Sequence, residues 1–181
     1  MNGRSTTPVP LGDTTELCCA KVPSPVGELT LVASPRGVRA VLWPGELTES
    51  VELPSADAGT PAAAAVLHQL VAQLQEYFAG ERHEFDVPLD PVGTDFQQSA
   101  WRELRRIPYG TTISYGEQAR RLGDVNKSRA VGAANGRNPI SIVVPCHRVV
   151  GSNGSLTGFA AGIEAKAWLL RHEQGTKTLL D

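Results

Sequence analysis

Cys146 lies in the run IVVPCHRVVG, Ile142 to Gly151, followed directly by His147 and Arg148 and flanked by pairs of valines. A thiol titrates near pH ~8.5, so a nucleophilic role at neutral pH needs a base or an environment that favours thiolate. His147 is the obvious base. Neighbours in an extended chain point to opposite faces, however, so it would reach Cys146 through a bridging water rather than directly. An imidazole used in this way needs an acid to orient it. In IEAKAWLLRHEQ, Ile163, Ala167, Leu170 and Glu173 share one helical face, which puts the Glu173 carboxylate on the buried side, where it requires a partner. The same residues have bland readings, since an isolated cysteine is often a small apolar residue and a lone histidine a core one. Cys18, Cys19, His68 and His83 show no C-x-x-C or H-x-x-x-H spacing, so no metal site is expected.

Elements on either side must position this triplet. Val143-Val144 and Val149-Val150 read as short buried strands, and Pro145 fixes φ and removes a donor, which puts the triplet on a turn or strand edge. Residues 1–15 read as a disordered tail. LCCAKV, ELTLVAS and GVRAVLW, separated by the turn signals PSPVG and SPRG, predict an antiparallel meander. PAAAAVLHQLVAQLQEYF carries Leu67, Leu70, Leu74 and Phe78 at helical spacing and stops at Gly80, and FDVPLD predicts a last strand. A boundary near residues 90–93 gives two domains, 16–90 and 91–181. In the second, Thr94 with Gln97 forms a capping-box pattern before DFQQSAWRELRRI, whose Phe96, Ala100, Leu104 and Ile107 line one face. Ser114 with Glu117 repeats the pattern before YGEQARRLG. After GDVN comes KSRAVGAAN, with Gly136 placed as its C-terminal cap. Two short helices joined by a tight turn are a helix-turn-helix candidate. Ala130, Gly132, Ala133 and Ala134 keep the second helix thin enough to enter a groove, and Arg129 lies in its first turn, where this motif meets base edges. Small residues also permit close helix packing, so composition alone leaves both readings open.

Charge supports an anionic partner. The net charge of the 181-residue chain is -2, yet residues 101–140 hold eight Arg and Lys against three acids, so a basic segment sits in an otherwise acidic chain. Three cysteines do not make a disulfide framework and favour a reducing compartment. The N-terminus has no apolar leader-like stretch, and no run approaches the ~20 apolar residues that cross a bilayer, so a cytoplasmic protein without membrane contact is expected.

The run NPISIVVPCHRVVGSNGSLTGFAAGIEAKAWLLRHE, preceded by GTTISYGEQARRLG and SRAVGAANGRNP, closely resembles the O6-alkylguanine-DNA alkyltransferases, also called methylated-DNA protein-cysteine methyltransferases, over residues 94–174. The N-terminal half matches more loosely, through the meander, the long helix and the EYFAGE segment. The resemblance implies an α+β protein: an RNase H-like N-terminal domain with an antiparallel sheet and helix, then a mainly helical domain with the helix-turn-helix and the reactive cysteine. It implies direct-reversal DNA repair in which Cys146 accepts the alkyl group from O6-alkylguanine, with O4-alkylthymine also expected, in a single turnover that consumes the protein. Duplex DNA would be bound from the minor groove by a monomer, without a cofactor. By the same resemblance His147 is the base acting through water and Glu173 its orienter, while Asn138 is a hinge between recognition helix and active-site strand. Arg129 is the finger that replaces the flipped nucleotide, beside Ala130 and Gly132 on the DNA-facing helix. Tyr115 rotates the phosphate and hydrogen-bonds guanine N3. Asn135, Val149, Phe159 and Ala160 join Tyr115 in the substrate pocket.

The chain departs from the family at GFAAG: Phe159 lacks a hydroxyl that many relatives carry, and Ala161 adds a methyl where they have glycine. Two other classes fit parts of the pattern. A cysteine hydrolase would also want Cys, His and a carboxylate but would turn over repeatedly, and a non-enzymatic helix-turn-helix or damage-binding protein would need no thiol.

Overall fold

Short apolar-rich runs separated by two tight turns fold the N-terminal segment into a meander of β1 (Cys18–Val22), β2 (Leu29–Ser34) and β3 (Gly37–Leu42), antiparallel in the order β1-β2-β3, with β2 and β3 buried along their whole length. The computed structural model describes residues 8–46, 51–159 and 161–180, in two compact units divided between Val92 and Gly93. Helix α1 (Pro61–Phe78) packs on this sheet. Thr60 caps it, Pro61 occupies its first turn, and Gly80, at φ 79, ends it in the left-handed conformation that glycine adopts without strain. Its buried face is Leu67, Leu70, Leu74 and Tyr77.

Two expectations for this unit change. FDVPLD is not a strand: Pro88 lacks a donor, and pairing shrinks to a bridge between Val38 and Leu89, with Val38 N–H donating to Pro88 O (2.8 Å) and Asp90 N–H to Val38 O (2.8 Å). Residues 8–15 are not a disordered tail. Leu11 packs with Leu17, Val32, Ala40 and Leu42, and its carbonyl accepts a hydrogen bond from buried Arg39; residues 1–7 lie outside the described residues.

In the second unit, α2 (Asp95–Leu104) begins with the complete reciprocal box between Thr94 and Gln97. Strand β4 (Ile113–Ser114) leads into α3 (Tyr115–Arg121), where Ser114 Oγ accepts from Glu117 N–H (3.1 Å) while the Glu117 carboxylate pairs with Arg120 and Arg121. A 3₁₀ turn (Val125–Lys127) connects α3 to α4 (Ser128–Gly136). Gly136 is the last residue of α4 rather than a left-handed cap, and Arg137 follows at φ -102. The helix pair packs through Ala119 and Val131. Behind it, Trp101 Nε1 donates to Ala134 O (2.9 Å) and Gln118 Nε2 to Ala100 O (3.2 Å), which hold both helices against α2. Strand β5 (Val149–Val150) pairs in parallel with β4, and α5 (Ile163–Leu180) closes the unit. Among the described residues no helix is long and apolar enough to cross a membrane.

Candidate active site

The sequence PCHR folds into a single 3₁₀ turn, Cys146–Arg148, entered from Pro145 and left directly into β5. Val143-Val144, expected as a strand, is instead a tight turn: Val143 N–H donates to Ser141 O (2.9 Å), Val144 N–H to Ile140 O (2.9 Å) and Cys146 N–H to Val144 O (2.9 Å). Ile142 sits in it at φ 74, an outlying conformation for a buried β-branched residue. Asn138 holds that turn at both ends, donating from Nδ2 to Val144 O (2.8 Å) and accepting Ile140 N–H on Oδ1 (3.0 Å). Losing the second bond would leave the buried Ile140 N–H unpaired, whereas Val144 O would keep the bond from Cys146 N–H.

Cys146 is 6% exposed and not in a disulfide; His147 and Glu173 are fully buried. His147 Nε2 lies 2.7 Å from Glu173 Oε1. A carboxylate accepts, so Nε2 carries the proton and Nδ1 is left with its lone pair. Nδ1 is buried without a hydrogen-bond partner among the described residues. Arg148 grips the same carboxylate with a fork, Nε to Oε2 (2.9 Å) and a terminal nitrogen to Oε1 (2.9 Å), while its other terminal nitrogen donates to Ile107 O (2.7 Å). Gly110 N–H adds a contact to Oε2 (3.3 Å). Burial opposes the charge on Glu173, but the hydrogen bonds and charges of His147 and Arg148 outweigh it and hold the carboxyl well below the usual range. Burial also lowers His147, more than Glu173 raises it, and Arg148 and Lys166 add to the lowering. The resting pair is therefore carboxylate and neutral imidazole.

Tyr115, the first residue of α3, donates its hydroxyl to Thr157 O (2.9 Å), and burial raises its titration. Buried Lys166 donates to Val149 O (2.5 Å) and Thr157 O (3.1 Å) and comes within 3.5 Å of the Tyr115 hydroxyl. Its ammonium also lies over the rings of Tyr115 and Phe159, at 5.7 and 5.9 Å. Tyr115 and Lys166 both feel the charge of Cys146, which puts the thiol, the phenol and the ammonium in one neighbourhood. A cavity of about 370 Å³ opens on the Tyr115 side, lined by Tyr115, Ser128, Arg129, Gly132, Thr157 and Gly158 but not by Cys146 or Lys166. Arg129 and Ala130 are exposed at the start of α4, and a side chain at Gly132 would meet the Tyr115 ring at 3.8 Å.

Not every expected residue converges here. Asn135 is buried in a reciprocal amide pair with Gln118 (2.8 and 3.1 Å), so its side chain serves the helix-turn-helix core rather than the pocket. Val149 contributes its carbonyl, since its side chain is fully buried. Ala160 lies outside the described residues. The buried stripe of α5 is Lys166, Leu169 and Glu173; Ile163, expected on it, is 57% exposed. Sequence reasoning missed Lys166 and gave Arg148 no role. A signal for both existed, because a buried carboxylate demands a cation and Lys166 falls two turns before Glu173 on the same face. Among the described residues no cluster of His, Cys, Asp or Glu could hold a metal ion.

Fold and site together define a class: an α+β chain whose helical unit carries a helix-turn-helix beside a buried Cys, His and carboxylate set. Family models narrow it. Residues 17–91 match the ribonuclease-like domain of 6-O-methylguanine DNA methyltransferase and residues 95–175 its DNA binding domain, so the chain belongs to that family. A methylated-DNA–protein-cysteine methyltransferase of Mycobacterium bovis is 50% identical over 153 residues, spanning 84% of this chain and 90% of its own. That of Methanosarcina acetivorans is 45% identical over 151 residues, 83% of this chain and 94% of its own. Among solved structures, the O6-methylguanine methyltransferase of Mycobacterium tuberculosis aligns at TM-score 0.77 with 43% identity, covering 91% of this chain and 99% of its own. A structure of the M. tuberculosis protein in complex with DNA aligns at TM-score 0.75 with 44% identity, covering 89% and 98%. The RNase H-like and helix-turn-helix architecture expected from the sequence is the architecture observed.

Proposed function

We propose that this protein repairs alkylated DNA by direct reversal, with Cys146 taking the alkyl group from O6-alkylguanine, and from O4-alkylthymine, in one irreversible turnover. The observation that carries this reading is the His147–Glu173 contact of 2.7 Å one residue after the thiol, beside a helix-turn-helix. His147, neutral at rest, takes the Cys146 proton on Nδ1 through one water, and Glu173 stabilises the imidazolium that results. The thiolate attacks the alkyl carbon in line; the new S–C bond forms as the C–O bond to guanine breaks, and guanine leaves with the electron pair. A proton donated to N3 neutralises it. Tyr115 supplies that donor once its hydroxyl turns from Thr157 O; the adjacent Lys166 ammonium stabilises the phenolate left behind until the proton taken by His147 returns to it through water, so that no net charge remains. The product is a thioether that no neighbouring nucleophile opens, so the chain is consumed. Relatives named as cysteine methyltransferases favour this over a turning-over hydrolase or a thiol-independent regulator.

The DNA enters as a duplex bound by a monomer from the minor groove. An alkyl group on O6 is inaccessible inside the stack, so the nucleotide must be extruded, and Arg129, exposed at the head of α4 and lining the cavity, fills the gap. Ala130 and Gly132 keep that helix thin, and exposed Arg102, Arg105, Lys127 and Arg137 offer charge to phosphates. Asn138 ties the end of α4 to the turn before Cys146. DNA repair chemistry on a reduced thiol fits a cytoplasmic location. The test is Cys146→Ser with a labelled O6-methylguanine duplex: DNA affinity stays within about twofold and label transfer vanishes. Continued labelling of that variant would end the assignment.

A further inference from the structure

Arg148 is the strongest charged group at the site without a part in the chemistry above. It is a 6% exposed guanidinium, one residue from the base, held by three hydrogen bonds to Glu173 and Ile107 and stacked 5.7 Å from the Tyr109 ring. A buried cation needs a reason beyond filling space, because desolvating an ion pair costs about as much as the attraction returns. We infer that Arg148 is a positioning residue for the relay: its fork fixes both Glu173 oxygens so that one alone addresses His147, and its charge offsets part of the carboxylate's pull on an imidazole proton. This rests on the proposed role of His147 as the base.

Geometry supports both halves. Glu173 Oε1 receives His147 Nε2 and one arm of the fork, while Oε2 receives the other arm and Gly110 N–H, so rotating the carboxylate would break contacts on both oxygens. Arg148 is itself anchored to Ile107 O at the end of the α2 segment. The orientation of His147 is thus set through Glu173 and Arg148 from the backbone of 107–110. The charged and titratable groups facing the imidazole are Cys146 and Arg148 of its own turn and Glu173 and Lys166 of α5, with Tyr109 against Arg148. With Glu173 alone the local field would favour imidazolium, which cannot take the thiol proton. Burial is the largest influence against that, Arg148 and Lys166 add to it, and of the two only Arg148 touches the carboxylate.

The test compares Arg148→Gln, which keeps hydrogen bonding without charge, with Arg148→Lys, which keeps charge without the fork. Imidazole ¹⁵N shifts of His147 are followed from pH 5 to 8 in the full-length protein, alongside the rate of transfer from free O6-methylguanine base. Wild type should show a neutral ring protonated on Nε2 at pH 7 and above, titrating below the ordinary histidine range. Arg148→Gln should titrate about one unit higher, a tenfold change in proton affinity, so that its transfer falls by up to about tenfold relative to wild type toward the acid end of the range and converges on wild type by pH 8, where both rings are neutral. Arg148→Lys should keep a neutral ring but transfer more slowly at every pH. A His147 titration in Arg148→Gln equal to wild type overturns the electrostatic half; wild-type rates in Arg148→Lys overturn the fork. Should Arg148→Gln fail to fold, Arg148→Lys decides alone: a ring that protonates near pH 7 in it, or unchanged rates, overturns the inference. Because the shifts are read without DNA or transfer, an inactive wild type would overturn the relay reading while leaving the Arg148 result interpretable.

Discussion

Glu173→Gln changes one charge and almost no volume in a fully buried position. His147 Nε2 and one Arg148 arm meet Oε1, and the other arm and Gly110 N–H meet Oε2, all as donors. A glutamine offers one acceptor oxygen and turns its amide donors toward the remaining donors, leaving the Arg148 charge buried and uncompensated. Removing one partner of a buried pair costs about 3–5 kcal/mol. At a urea slope of about 2 kcal/mol per molar, the midpoint of the transition reporting on the second unit should fall by about 1.5–2.5 M. The pH dependence follows from direction. Glu173 titrates lower in the folded state than the unfolded value near ~4.3, so its stabilisation is present above that value and lost as pH falls toward the folded one. The gap between wild type and variant should be constant above about pH 6.5, where His147 is neutral in both, and the part of it due to the Glu173 charge should shrink below about pH 4. His147, lowered by burial, makes both proteins less stable as pH falls below its unfolded value near ~6.5. Urea melts followed by tryptophan fluorescence at pH 3.5, 5 and 7.5 measure the gap, and transfer rates on the folded variant should recover part of their loss above pH ~8.5, where thiolate forms unaided. A gap unchanged from pH 7.5 to 3.5 would refute the charge argument, and an equal rate loss at every pH would leave Glu173 a purely structural role.

Arg129→Ala should slow repair of duplex DNA by at least about tenfold, since filling the vacated stack offsets part of a flipping cost of a few kcal/mol, while transfer from the free base stays within about twofold; equal slowing of both, by parallel rate assays, would make Arg129 a support of the active site. Ala161→Gly should raise the rate with bulky benzyl-type guanines relative to methylated ones, and an unchanged ratio would mean that residue 161 faces away from the pocket. Gln118→Leu strips Asn135 of its reciprocal partner in a fully buried pair, so thermal or urea unfolding should show a loss of about 1–3 kcal/mol, which Asn135→Leu added to it should largely restore. Asn138→Ala should cost about 1–3 kcal/mol by leaving Ile140 N–H unpaired and removing one of the two bonds to Val144 O, and should slow free-base transfer as well as duplex repair, unlike Arg129→Ala.

Local rules carried far in this chain where one interaction decides an outcome. The Thr94–Gln97 box, the stop at Gly80 and the three-strand meander were legible because capping, left-handed glycine and turn signals act over a few residues. Glu173 could be placed beside His147 from helical spacing and the demand of a buried carboxylate for a partner. Where tertiary contacts decided, reading failed. FDVPLD has strand composition, but Pro88 removes the donor needed for a ladder, and Val143-Val144 bends because Asn138 captures both flanking backbone groups. The stripe of α5 was phased on Ile163 when the buried positions begin at Lys166, a residue whose length and charge argue for solvent until carbonyls of Val149 and Thr157 are brought around its ammonium. Resemblance alone assigns Asn135 to the pocket, and its true partner, Gln118, lies 17 residues away on the other helix of the pair, beyond the reach of local rules.

The most direct test of the account is the intact mass and peptide map of the protein after incubation with a duplex containing one O6-methylguanine. The account predicts a gain of one methyl per chain, about 14 Da, located on Cys146, with guanine restored in the DNA and no further turnover when substrate is in excess. Methyl on Cys18 or Cys19, or repair of more than one lesion per chain, would contradict it.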